Sequence, residues 1–136
     1  AELMPRFSAK QIRELYSAMV LTRLFDRKAI SLQRQGRLGT YASQLGQEAS
    51  IIGPAYALSK NDWLVPSFRE SGAMLLHGYP LKQLFQFWAG NEEAEKLPKG
   101  LKVFPVAIQR LSSLCQSIFL IMVLAIKKIK IIIQKP

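Results

Sequence analysis

The chain has 136 residues and 49% apolar content, enough for one modest core and at most one domain. Its single cysteine, Cys115, excludes an internal disulfide framework and points to a reducing, cytoplasmic setting. The formal charge of +10 brings nucleic acid or an anionic membrane to mind, yet residues 109–136 alone hold five Lys/Arg and no acid, leaving the rest mildly basic.

Ala1 to Pro5 show no basic segment followed by an apolar one, so no signal peptide is expected. Ser8 with Gln11 three positions on forms a capping-box pattern, which opens a helix over about residues 9–35. Within it Ile12, Leu15, Tyr16, Met19, Val20 and Leu24 make one apolar stripe, with most charges off it. Gly36 is placed to close the helix. A turn through Tyr41 leads to a second helix near residues 45–58, with Leu45, Ala49, Ile52 and Tyr56 inward and Pro54 working against it. Trp63 to Val65 reads as extended. Short helices follow at about 69–76 and 80–89, then a polar loop from Asn91 to Gly100 and an extended run from Lys102 to Ile108.

From Gln109 the texture changes. Leu111 to Ile126 is apolar with almost no polar face, and the lysines beyond it alternate with isoleucine. That apolar run of about 16 residues is shorter than the ~20 needed to span a bilayer. A division into residues 1–108 and a non-matching tail, 109–136, is therefore expected.

Isolated side chains give little chemistry. His77, the one histidine, has no neighbour of the kind that makes a metal site or a triad, and reads as structural. Cys115 reads as a small apolar residue. Glu48, at the start of the second helix, suits the positive end of the helix dipole. No P-loop, G-x-G-x-x-G, H-E-x-x-H or C-x-x-C motif occurs. Trp63, Phe68, Phe85, Phe87 and Trp88 are spaced as core residues, not as a base-stacking platform, so no nucleic-acid partner is expected.

Four stretches carry more. They are Leu32-Gln33-Arg34-Gln35-Gly36-Arg37-Leu38-Gly39-Thr40-Tyr41, Leu45-Gly46-Gln47-Glu48-Ala49, the run from Asp62 to Gly72, and Gly78-Tyr79-Pro80-Leu81. In order and spacing over residues 12–108 they resemble the α subunit of the decarboxylating component of 2-oxo acid dehydrogenase complexes, the pyruvate, branched-chain and acetoin enzymes. The resemblance implies the N-terminal helical portion of a thiamine-diphosphate-binding three-layer α/β fold, so this stretch should be mostly α. It implies thiamine diphosphate with Mg as cofactors, and as partners a β subunit and a lipoyl-bearing acyltransferase. The implied reaction is oxidative decarboxylation of a 2-oxo acid with acyl transfer to the lipoyl carrier.

The family's Tyr-Arg pair at the diphosphate reads Phe68-Arg69 here. Arg69 offers forked donors suited to phosphate oxygens, whereas Phe68 lacks the tyrosine's hydroxyl. Tyr41 falls where the family lines the active-site entrance, and from the residues alone it is an aromatic packing over the end of the first helix. The family's metal and diphosphate motif, beginning Gly-Asp-Gly and ending Asn-Asn, is not found in these 136 residues. The expectation is thus a chain inactive by itself, its tail a frame-shifted readthrough or a replacement. The alternatives are a non-catalytic assembly or vestigial fragment, and a fragment tethered to a membrane by its apolar tail.

Overall fold

The computed structural model describes residues 7–66 and 68–103. The tail from residue 109, Cys115 and the run after Val103 lie outside them. Among the described residues the chain is mostly α, as the resemblance implied. Four helices, α1 (Ala9–Arg34), α2 (Glu48–Tyr56), α3 (Ser71–Leu76) and α4 (Leu81–Trp88), are followed by a 3₁₀ turn at Glu92–Glu95. That turn falls within what the sequence marks only as a polar loop. The Asn91 side chain caps it by accepting from the Glu93 N–H at 2.9 Å.

The capping box forms as the spacing predicts. The Gln11 N–H donates to Ser8 Oγ at 3.3 Å, and the Ser8 N–H donates to Gln11 Oε1 at 2.9 Å. At the other end Gly36 takes φ +71°, a left-handed conformation that a side chain would resist. The Gly36 N–H then reaches the Gln33 carbonyl at 2.9 Å and the Arg37 N–H reaches that of Leu32 at 2.9 Å. Two carbonyls of the last turn are satisfied in this way.

The face that α1 buries is not its apolar stripe. Ile12, Tyr16, Val20 and Leu24 are exposed, Tyr16 to 66%, and Leu15 and Met19 are half-buried, while Thr22, Phe25, Asp26 and Ala29 are buried. The reason is close approach. A Cβ on Gly72 of α3 would lie 2.5 Å from Thr22 Oγ1, so α1 meets α3 through its small and polar residues.

For α2 the predicted inward set holds at Ile52, which is buried, and fails at Leu45 and Ala49. Leu45 is 61% exposed and Ala49 is exposed. The buried residues are Glu48, Ile51, Ile52 and Ala55, at three- and four-residue steps from a later start. Pro54 lies inside this short helix. It removes the donor for the carbonyl of Ser50, and Ser50 is exposed, so water can serve that oxygen.

The core gathers Phe25, Ala29, Tyr41, Met74, Tyr79, Leu84 and Val103. Phe25 packs on Phe85 with ring centroids 4.5 Å apart, and Tyr41 stands edge-on to Trp88 at 5.0 Å. The two stretches predicted as extended meet at a single parallel bridge between Leu64 and Val103, where the Leu64 N–H donates to the Lys102 carbonyl at 2.9 Å. No helix among the described residues is long and apolar enough to cross a membrane.

Candidate functional site

The segment before α3 turns on Glu70. Its Oε2 accepts from the backbone N–H of Phe68 at 2.7 Å and from that of Arg69 at 3.0 Å. A carboxylate folded back on two preceding amides fixes the turn and sends the Arg69 side chain outward. Arg69 is exposed, and its Nη1 donates to the Ser43 carbonyl at 2.8 Å. Its Cζ stands 5.6 Å from the centroid of the Phe68 ring. A guanidinium over an aromatic ring at that distance is attracted to the ring's negative face. The Phe68 ring therefore steadies Arg69.

Ser43 belongs to a loop held from below by Asp26. This carboxylate, 3% exposed on the buried face of α1, accepts three hydrogen bonds. Oδ1 takes the Tyr41 hydroxyl at 2.9 Å and the Gln44 backbone N–H at 2.7 Å, and Oδ2 takes the Ser43 hydroxyl at 2.8 Å. Three donors make a buried charge tolerable without a cation. Gln44, also buried, uses both ends of its amide. Nε2 donates to the Tyr41 hydroxyl at 2.9 Å, and Oε1 accepts from the Gly72 N–H at 3.0 Å. Trp88 Nε1 donates to Ser71 Oγ at 3.2 Å beside them. Burial first, and then Asp26, hold the Tyr41 phenol above its ordinary range, against the pull of the Gln44 amide. Tyr41 is thus a packed aromatic as its bland reading expects, though it lies against Phe25 and Asp26 in the body of α1 and not over its end, and it is also a hydrogen-bonded strut.

Sequence reasoning missed Asp26, Ser43 and Gln44. One signal was available, a charged residue in phase with Thr22, Phe25 and Ala29. It has no meaning until the partners in the loop are known.

An open groove of about 640 Å³ runs along α1 beside Ser43, lined among others by Arg27, Ile30, Arg34 and Leu45. That volume is in the range of small-ligand sites. Its charged lining is Arg27, Arg34 and the Asp26 carboxylate already engaged by three donors, so the rim is cationic.

Glu48 does more than face a helix dipole. It accepts from Arg23 Nε at 2.8 Å, joining α2 to α1. That bond holds its carboxyl at about 2 against an ordinary 4.5, with burial opposing and the backbone amides of Glu48 and Gly46 helping. A depressed folded-state value contributes stability above the unfolded value and loses it as pH falls. The denaturation midpoint should therefore drop between about pH 4.5 and 2. Glu48→Gln should flatten that part of the curve, which urea titrations from pH 6 to 2 would show. A drop of equal depth in the variant would assign the acid sensitivity to other carboxyls. His77 Nε2 lies 3.1 Å from the Asp62 carbonyl, a structural role. Among the described residues no group of three or more His, Cys, Asp or Glu could hold a metal ion.

The model of the dehydrogenase E1 component family matches residues 16–110. The chain belongs to this family. It is 42% identical over 100 residues to the pyruvate dehydrogenase E1 component subunit alpha of Staphylococcus aureus, covering 74% of this chain and 27% of that protein. The subunit of the same name from Acholeplasma laidlawii is 40% identical over 104 residues, 76% of this chain and 30% of that one. The chain spans a little over a quarter of the length of these relatives. Every residue of the Asp26–Arg69 cluster lies within the E1 match, and residues 111–136 lie beyond it.

Proposed function

We propose that this chain supplies the N-terminal helical part of an α-type E1 subunit, and that Arg69 contacts the diphosphate of thiamine diphosphate in the assembled enzyme. The reaction served is oxidative decarboxylation of a 2-oxo acid with acyl transfer to a lipoyl carrier. One observation carries the reading: within the E1 match, Arg69 is exposed, braced on the Phe68 ring and, among the described residues, bound through one nitrogen, Nη1 on the Ser43 carbonyl. Its donor set fits one end of a diphosphate, since a forked guanidinium matches phosphate oxygens. The described residues do not fit the Mg ion, because none of them form a cluster of metal-ligating side chains.

These 136 residues are thus proposed to be inactive without further protein, and Arg69 cannot replace a divalent cation. A β subunit is the proposed partner. It is supported by the exposed apolar residues of α1, since contiguous apolar surface on a small domain marks an interaction site. The division near residue 108 is supported by the end of the E1 match at residue 110. A cytoplasmic setting rests on the cysteine count alone.

The test is co-purification with an E1 β subunit, read by size-exclusion chromatography. Co-elution is expected, with no release of CO₂ from pyruvate. Ile12→Glu with Leu24→Glu should abolish co-elution and leave the circular dichroism of the chain unchanged. Elution apart from the β subunit would contradict the partner reading, and CO₂ release would contradict the inactivity.

A further inference from the structure

The buried carboxylate of Asp26 and the guanidinium of Arg69 never touch, yet one peptide group lies between them. The N–H of Gln44 donates to Asp26 Oδ1 at 2.7 Å, and the C=O of Ser43 accepts from Arg69 Nη1 at 2.8 Å. That N–H and that C=O belong to the same peptide unit. A trans peptide is planar, with its N–H and C=O pointing in opposite directions, and there are no cis bonds among the described residues. The unit is therefore fixed between a negative charge at its donor end and a positive charge at its acceptor end. Each charge favours the peptide dipole in the orientation that the other uses, and such chained hydrogen bonds polarise one another, most at the buried Asp26 end.

We infer that Asp26 is a positioning residue, setting the place of the Arg69 guanidinium through the peptide that joins Ser43 to Gln44. This rests on the reading of Arg69 as the diphosphate contact. The other bonds of the carboxylate serve the same end. The Ser43 hydroxyl at 2.8 Å and the Tyr41 hydroxyl at 2.9 Å stop the loop from rotating about that peptide. From the far side Gln44 Oε1 holds the Gly72 N–H at 3.0 Å, so the loop grips the Arg69 segment at two points three residues apart. An apolar side chain at position 26 would fill the space without orienting the peptide, and a neutral amide would keep the acceptor without the charge that polarises it. That accounts for a carboxylate on a buried helix face, where an apolar residue costs less to bury.

The experiment uses the full chain labelled with ¹⁵N, and it reads two things. One is the order of the Arg69 Nε–Hε group by NMR relaxation. The other is the affinity for inorganic pyrophosphate, followed by ³¹P NMR. Asp26→Asn keeps the shape and removes the charge. Ser43→Ala removes one bond and keeps the carboxylate, and it stands in if the first variant does not fold. Both should lose Arg69 order and bind pyrophosphate about three- to tenfold more weakly, and neither should weaken binding further when Arg69→Ala is already present. A purely structural role for Asp26 would lower stability and leave both readings unchanged in the folded variant, which would overturn the inference. If the variants lose Arg69 order while Arg69→Ala binds pyrophosphate as the parent does, the link from Asp26 to Arg69 stands and the diphosphate reading is what fails.

Discussion

Replacing Asp26 with alanine should lower the unfolding free energy of the chain by about 3 kcal/mol, because buried donors left without an acceptor cost ~1–3 kcal/mol each. Two donors are buried and lose their acceptor, the Tyr41 hydroxyl and the Gln44 backbone N–H. The Ser43 hydroxyl is only half-buried and can turn to water. Removing a buried charge returns part of the loss, which is why the figure stays below the upper end of the sum for the two groups. Asp26→Asn should cost about half as much, since its carbonyl can still serve Tyr41 and Gln44. Urea denaturation followed by tryptophan fluorescence provides the measurement, and Trp88 makes it local because its ring stands 5.0 Å from that of Tyr41. Equal stability of Asp26→Ala and the parent would mean that the carboxylate contributes as much strain as order.

Gly72→Ala should be of similar size for a different reason. The added Cβ would lie 2.5 Å from Thr22 Oγ1 and 2.6 Å from Thr22 Cγ2, both closer than packed atoms come. Thr22 cannot turn away, because its hydroxyl donates to the Ala18 carbonyl at 2.8 Å and its residue is 1% exposed. A β-branched side chain in a helix has few rotamers to offer in any case. The helices α1 and α3 must then separate, and overpacking of this kind costs about 1–3 kcal/mol or more. The loss should be accompanied by weakening of the Gly72 N–H bond to Gln44, which ties the clash to the Arg69 loop. Adding Thr22→Ala removes the two nearest atoms and should restore most of the stability. Thermal unfolding of the two single variants and the double variant decides the matter. A double variant less stable than Gly72→Ala would place the strain elsewhere.

These two substitutions also mark where the sequence stops speaking. The ends of α1 were legible because their chemistry is local, with Ser8 and Gln11 at one end and Gly36 at the other. The buried face of the same helix was not. Apolar periodicity picks out Ile12, Leu15, Tyr16, Met19, Val20 and Leu24, of which Leu15 and Met19 are half-buried and the others exposed, yet the fully buried face is Thr22, Phe25, Asp26 and Ala29. A face that meets another backbone closely needs small or hydrogen-bonded residues, and hydrophobicity does not register them. In α2 the same limit appears as a shift of phase. Glu48 could be explained by the helix dipole alone, and nothing nearby in the sequence announces Arg23, 25 positions earlier. The site divides in the same way. Phe68 and Arg69 were found through a family pattern, while Asp26, Ser43 and Gln44 become a unit only when the loop folds onto α1. Among the described residues, the bridge between Leu64 and Val103 is where the two stretches read as extended meet, with residues 104–108 of the second lying outside them.

The central claim is that Arg69 is held ready for a diphosphate, and titration of inorganic pyrophosphate into the full chain tests it most directly. Followed by ³¹P NMR, Arg69→Ala should bind at least tenfold more weakly than the parent, with Arg69→Lys between them because an ammonium keeps the charge and loses the fork. Equal affinity in all three proteins would contradict it.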